Sequence, residues 1–218
     1  MIKILFFGDS ITDAQRKREP SENISPLGFG FVRSIADELL GQTHNQYEII
    51  NKGISGHRIV DLYSRVKIDV WNHKPDVLNI LVGVNDILHE IKYCNGVELE
   101  RFERIYRMLI EDTKKALPDT QIILCEPFVL EGAETKNTEE MPDRYERFLE
   151  VYKYAKVVKK LAEEFDLPFI ELQEKFTKKA QEYGVEKYLF DGVHPHVAGA
   201  RLIAQEWLKE FKKLNLKK

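Results

Sequence analysis

The side chains best suited to covalent chemistry lie at opposite ends of this 218-residue chain. One is the serine of Gly8-Asp9-Ser10-Ile11-Thr12; the other is the histidine of Asp191-Gly192-Val193-His194-Pro195. A serine hydroxyl attacks a carbonyl only when a base takes its proton, and the base needs an orienting partner. Of His44, His57, His73, His89, His194 and His196, only His194 has an acid spaced like a dedicated partner, Asp191. A tight turn through Gly192 lets the Asp191 carboxylate accept the Nδ1 proton of His194 while Nε2 faces Ser10. The chemistry of such a set is acyl transfer through an acyl-serine. A tetrahedral oxyanion then needs donors, and the candidates are the Ser10 backbone N–H, the Gly56 backbone N–H and the Asn85 side-chain amide. Gly56 lacks a Cβ and so lets main chain approach a substrate. Asn85 needs a neighbour to hold its amide, and Asp86 adjoins it. Each short motif alone is an ordinary turn or cap; the set, in order, carries the reading.

Those residues must be brought together by the elements around them. Apolar runs at residues 2–7, 48–50, 77–82, 121–125 and 168–170 read as strands. Several lack polar alternation, as parallel strands covered on both faces do. Between them the three- and four-residue spacing of apolar positions predicts helices over residues 29–40, 60–70, 99–116, 143–165, 172–183 and 197–214. Alternating strands and helices imply a doubly wound α/β sandwich with right-handed crossovers, in one domain spanning residues 1–218. Ligands bind such sheets at the carboxyl ends of the strands. The loops after the first four strands, around Ser10, Gly56, Asn85 and Glu126 to Gly132, therefore converge on one edge.

Composition excludes several function classes. The net charge of −3 leaves no electrostatic footprint for nucleic acid, and the closing lysines, Lys212, Lys213, Lys217 and Lys218, suit a helix C-terminus. Cys94 and Cys125 make neither a disulfide framework nor a zinc or redox spacing, and Cys125 reads as a small buried hydrophobe. His194-Pro195-His196 has no carboxylate or cysteine set around it, so no metal and no cofactor is expected. No apolar run approaches the roughly 20 residues that span a bilayer. The opening apolar stretch meets Asp9 too soon for a signal peptide, which gives the expectation of a cytoplasmic protein with no membrane partner.

As an ordered set, Gly8-Asp9-Ser10, Gly53-Ile54-Ser55-Gly56, Gly83-Val84-Asn85-Asp86 and Asp191-Gly192-Val193-His194 resemble the four motif blocks of the SGNH, or GDSL-type, hydrolases. The resemblance implies a flavodoxin-like three-layer α/β/α sandwich with a five-stranded parallel sheet. It implies Ser10 as nucleophile, Asp191 and His194 as the rest of the triad, and Ser10, Gly56 and Asn85 as oxyanion donors. Position 12 is Thr12, so this is not the Gly-x-Ser-x-Gly elbow of the α/β-hydrolases. Within the superfamily, Asn51-Lys52-Gly53, Lys74-Pro75-Asp76, Pro127-Phe128 and Glu131-Gly132 are similar to bacterial intracellular esterases of acetylated xylo-oligosaccharides, which implies acetyl esters of sugars as substrate and a homo-oligomer.

Two charged segments bear on the substrate. The loop at residues 15–25 carries Arg16, Lys17 and Arg18, which either line an entrance or form a solvated loop. The segment at residues 131–142 is polar and either overhangs the site after the fourth strand or forms a charged surface loop. The alternative enzyme is a lysophospholipase or thioesterase with the same triad and longer acyl chains. The alternative from another class, a non-catalytic ligand-binding domain, would need a lost nucleophile or base, and both are present.

Overall fold

All five strands run in one direction. In the computed structural model, which describes residues 1–19, 26–42 and 46–216, they are β1 Ile2–Gly8, β2 Tyr47–Gly53, β3 Val77–Leu81, β4 Gln121–Cys125 and β5 Phe169–Ile170. The order across the sheet is β2-β1-β3-β4-β5, and each neighbouring pair is parallel. His44, Lys217, Lys218 and residues 20–25 lie outside the described residues.

Helices α1 Ser10–Asp13, α2 Phe31–Gln42, α3 Ile59–Asp69, α4 Val84–Tyr93, α5 Leu99–Ala116, α6 Arg144–Phe148, α7 Val151–Glu164, α8 Gln173–Tyr183, α9 Val185–Tyr188 and α10 Val197–Phe211 connect the strands. Successive side chains of β1 show how two layers form. The ring of Phe6 lies 5.7 Å from Phe31 of α2 and 5.1 Å from Trp207 of α10. The next ring, Phe7, faces the opposite layer, where the guanidinium carbon of Arg65 in α3 stands 4.3 Å from its centroid. α2 packs on α10, α3 on α5, and α5 on α7. All five residues of β3 are buried, as a strand covered on both faces requires. This is the flavodoxin-like α/β/α sandwich that the motif order implied.

The chain leaves β1 for β2 on one side and returns past β1 to β3 on the other. A crevice opens where the winding reverses, at the carboxyl ends of β1 and β3. Gly8 ends β1, and Ser10 is the first residue of α1.

Local structure departs from the sequence reading in three places. The helix expected over residues 143–165 is broken into α6 and α7, because Leu149 and Glu150 form a tighter turn: the N–H groups of Tyr152 and Lys153 bond to the carbonyls three residues back. That tightening brings both Phe148 and Val151 fully inside. The loop expected after β3 is the first turn of α4, with Asn85 and Asp86 on its buried side. α1 and α9, one turn each, are too short to leave a periodic signal.

Candidate active site

β1 delivers the serine. Asp9 is buried, and its carboxylate accepts the N–H of Ile11 at 2.9 Å, capping the short helix that Ser10 opens. Ser10 Oγ then lies 2.9 Å from Nε2 of His194, across 184 residues of sequence.

The histidine is held by its own turn. Oδ2 of Asp191 lies 2.6 Å from His194 Nδ1, while Oδ1 accepts the backbone N–H groups of Val193 at 2.9 Å and His194 at 2.8 Å. The turn needs a left-handed residue, and Gly192 supplies it at φ +96°; a Cβ there would meet the Leu130 carbonyl at 2.5 Å. The backbone N–H of Leu130 donates to the Gly192 carbonyl at 2.9 Å and that of Glu134 to the Asp191 carbonyl at 2.8 Å. Buried Thr135 ties that segment together, donating to the Leu130 carbonyl and accepting from the Gly132 N–H. The segment after β4, read as either an overhang or a surface loop, braces the Asp191 turn from behind, and none of its residues lines the cleft beside Ser10.

Electrostatics follow from this geometry. Burial alone would lower the His194 pKa, but the hydrogen bond and charge of Asp191 outweigh it and hold the imidazole above its usual 6.5. Burial would raise Asp191, yet the His194 ring and the two turn N–H groups hold it below the ordinary carboxylate value. An imidazole so oriented, with Nδ1–H on a carboxylate, presents Nε2 as a proton acceptor to the hydroxyl.

Gly56 and Asn85 join the cluster through main chain. Ile54 N–H donates to the Gly8 carbonyl at 3.0 Å, and His57 N–H closes a turn on the Ile54 carbonyl at 3.2 Å. Gly56, inside that turn, has φ +80°. Asn85 donates to the His57 carbonyl at 3.1 Å. Asp86 does not hold the amide: its carboxylate accepts the Ile59 N–H at 3.1 Å, at the start of α3. Buried Asn51 fastens β2 to the serine loop, donating to the carbonyls of Thr12 at 2.7 Å and Leu27 at 2.8 Å. Arg16 is half-buried and donates to the Gly53 carbonyl at 2.8 Å, so it is a loop clamp and not a solvated side chain.

Ser10 and His194 open into a cleft of about 520 Å³. Asp13, Gln15 and Ser55 bring polar groups to its walls, and Phe29 and Phe190 bring exposed rings. The Phe190 ring runs nearly parallel to the His194 imidazole, at 18° and 5.6 Å between centroids. A larger hollow of about 630 Å³ lies among α4, α5, α6 and α7. It holds no serine or histidine, and its Glu98 and Glu150 already pair with Arg101 and Lys153. Chemistry selects the smaller cleft. Among the described residues no cluster of His, Cys, Asp or Glu has the makings of a metal site, and no helix is long and apolar enough to cross a membrane.

Sequence reasoning overlooked Thr135, Arg65 and Phe190, and weighed His57 only as a base. Only Phe190, an aromatic next to the Asp-x-x-His turn, left a signal that could have been read.

A parallel sandwich with a serine, histidine and aspartate in one hydrogen-bonded line at its switch point defines a hydrolase of acyl groups. The chain belongs to the GDSL-like lipase/acylhydrolase family, whose model matches residues 6–202, and it is a carboxylic ester hydrolase. It is 34% identical over 216 residues to the acetylxylan esterase of Geobacillus stearothermophilus, an alignment covering 96% of this chain and 93% of that protein. The solved structure of that esterase superposes with a TM-score of 0.81 at 33% identity, covering 99% of this chain and 96% of the other. A GDSL-like lipase candidate from Parabacteroides merdae superposes at 0.84 with 37% identity, covering 95% and 94%.

Proposed function

We propose that Ser10, His194 and Asp191 form the catalytic triad of an esterase that removes acetyl groups from sugars, xylo-oligosaccharides among them. The observation that carries the triad is the unbroken line from Ser10 Oγ to His194 Nε2, at 2.9 Å, and from Nδ1 to Asp191, at 2.6 Å, at the mouth of a cleft. Ser10 Oγ attacks the ester carbonyl carbon as His194 takes the hydroxyl proton; the carbonyl π bond opens and its oxygen becomes the oxyanion. The Ser10 and Gly56 N–H groups and the Asn85 amide donate to that oxygen; one Asn85 hydrogen is spent on the His57 carbonyl, and the other meets the ligand. The intermediate collapses, the alcohol leaves with the proton from His194, and the acyl group stays on Ser10. Water, deprotonated by His194, attacks the acyl carbon; the bond to Ser10 Oγ then breaks, His194 returns the proton to that oxygen, and the carboxylic acid leaves. Side chains, backbone N–H groups and water supply every proton and donor these steps use.

The acetyl-sugar reading is supported by the acetylxylan esterase relative and by the cleft wall. Asp13, Gln15 and Ser55 offer hydrogen bonds to hydroxyls, and Phe29 and Phe190 offer apolar faces of the kind a pyranose ring covers. The same exposed rings favour a second reading, a lysophospholipase or thioesterase with a longer acyl chain.

Two measurements test the proposal. Ser10→Ala should remove nearly all hydrolysis of 4-nitrophenyl acetate, and near wild-type turnover would refute the triad. Acetate release from acetylated xylo-oligosaccharides should exceed release from lysophospholipid, with rates on nitrophenyl esters falling from acetate to octanoate. Rates that rise with chain length would establish the second reading.

A further inference from the structure

We propose that buried Arg65 is the positioning residue of the oxyanion hole, holding the Gly56 and Asn85 donors in register with Ser10. The inference rests on the donor assignment proposed above. Arg65 lies in α3 with its side chain nearly closed off from solvent. Its guanidinium donates in three directions. Nη2 reaches the Gly8 carbonyl at 3.1 Å, Nη1 the Lys52 carbonyl at 2.8 Å, and Nε the Nδ1 of His57 at 3.0 Å.

Each target belongs to a different part of the site. Gly8 ends β1 two residues before Ser10, Lys52 lies at the end of β2, and His57 follows Gly56. The Gly8 carbonyl is the same one that accepts the Ile54 N–H, at 3.0 Å, where the Gly56 turn begins. The His57 carbonyl, in turn, accepts the Asn85 amide at 3.1 Å. One planar group therefore ties together the strand that carries the nucleophile, the turn that carries the glycine N–H and the residue that aims the asparagine.

The protonation of His57 agrees with this role. Arg65 can only donate, so Nδ1 must accept and the ring must be neutral. Burial first, and the Arg65 charge second, hold the His57 pKa below its usual 6.5, with Asp61 and Asp69 opposing and Arg18 adding to the effect. The cation is offset by Asp69, whose Oδ2 accepts from Nη1 at 2.8 Å, and by the face of Phe7. Asp69 is also 3.3 Å from Lys52 Nζ. A guanidinium fork spans three directions that an ammonium point charge cannot. Displacing donors by about 1 Å costs on the order of 10² in rate.

The test measures kcat and KM on 4-nitrophenyl acetate for Arg65→Met, Asn85→Ala and the double variant, with folding checked by circular dichroism. Arg65→Met should lower kcat by about 10²-fold, as loss of an oxyanion donor does, with KM changed less than about 3-fold. Because Arg65 acts through both donors, adding Arg65→Met to Asn85→Ala should cost clearly less than the loss Arg65→Met causes alone, since only the Gly56 donor is left to displace. Free guanidinium at millimolar concentration should restore part of the kcat of Arg65→Ala. A folded Arg65→Met with wild-type kcat, or losses that multiply in the double variant, would overturn the inference. If the Arg65 variants do not fold, His57→Phe removes only the ring link and enters the same cycle. A loss of about 10-fold that does not multiply with Asn85→Ala supports the proposal, and an unchanged kcat or full multiplication overturns it. Activity that survives Ser10→Ala would refute the triad reading instead, so the two failures are distinguishable.

Discussion

At the scale of single residues, the general-base role proposed for His194 depends on its charge. Asp191 holds the imidazole above its ordinary pKa of 6.5, and only the neutral ring can accept the Ser10 proton. The pH profile of kcat/KM should therefore rise through an apparent pKa above 6.5 and level off on the alkaline side. Asp191→Asn should lower both that pKa and the plateau; an acid limb well below 6.5 in the wild type would contradict the assignment. Phe190 makes a second residue-scale prediction. Its ring is half exposed and runs parallel to the base. Phe190→Ala should raise KM for an acetylated xylo-oligosaccharide by up to about 10-fold, the upper end of the roughly 0.5–1.5 kcal/mol an aromatic contact contributes, while glycerol triacetate loses little. Equal losses on both esters would assign the ring to positioning His194 alone.

At the scale of elements, the turn before α10 is held from two sides. Asp191 binds its own backbone forward, and the segment after β4 binds it from behind. Gly192→Ala places a Cβ 2.5 Å from the Leu130 carbonyl in a left-handed conformation. Roughly 1–3 kcal/mol of strain results, read as an earlier urea midpoint, and kcat should fall more than this loss of stability alone implies, because the Asp191 to His194 distance is set by that turn. An unchanged midpoint with unchanged turnover would show that the turn tolerates other backbones. The elements also show what periodicity can and cannot reveal. The stripe through Phe148, Ala155, Val158, Leu161 and Ala162 follows from its three- and four-residue spacing, but the break at Leu149, which turns Val151 inward, does not. Both α-helical and tighter turns keep the same apolar face inward over so short a distance.

At the scale of the whole molecule, the sheet edge that carries Ser10 rests on two buried carboxyls, Asp9 and Asp86, each with one oxygen lacking a partner among the described residues. Burial raises the Asp9 pKa to about 7, against the opposing Ile11 N–H and His194 charge. Burial raises Asp86 well above the usual value too, and Asp9 adds to that shift. The folded state therefore binds the Asp9 proton more tightly than the unfolded chain does. Its contribution is undiminished below about pH 4 and is lost as pH rises toward 7. Asp9→Asn keeps the acceptor for Ile11 and cannot ionise. Its stability relative to wild type should improve from pH 4 to pH 7, by at most about 1.4 kcal/mol per pH unit, measured by urea denaturation across that range. A constant difference between the two proteins would show that Asp9 titrates normally.

The amino-acid sequence determined the strand ends and the loops just beyond them: Ser10, Gly56, Asn85 and the Asp191 to His194 turn were readable, because each sits beside glycine where apolar runs stop. That the strands run parallel was also readable, since strands buried on both faces carry few polar residues. Tertiary structure alone decided that Arg65 faces inward beneath three loops, that Thr135 braces a turn 56 residues away, and that Arg16 binds the Gly53 carbonyl. A cation or hydroxyl on a helix or loop reads as solvent-facing until its partner is known. Most of those partners are backbone carbonyls, which every residue has and which therefore leave no mark in a sequence.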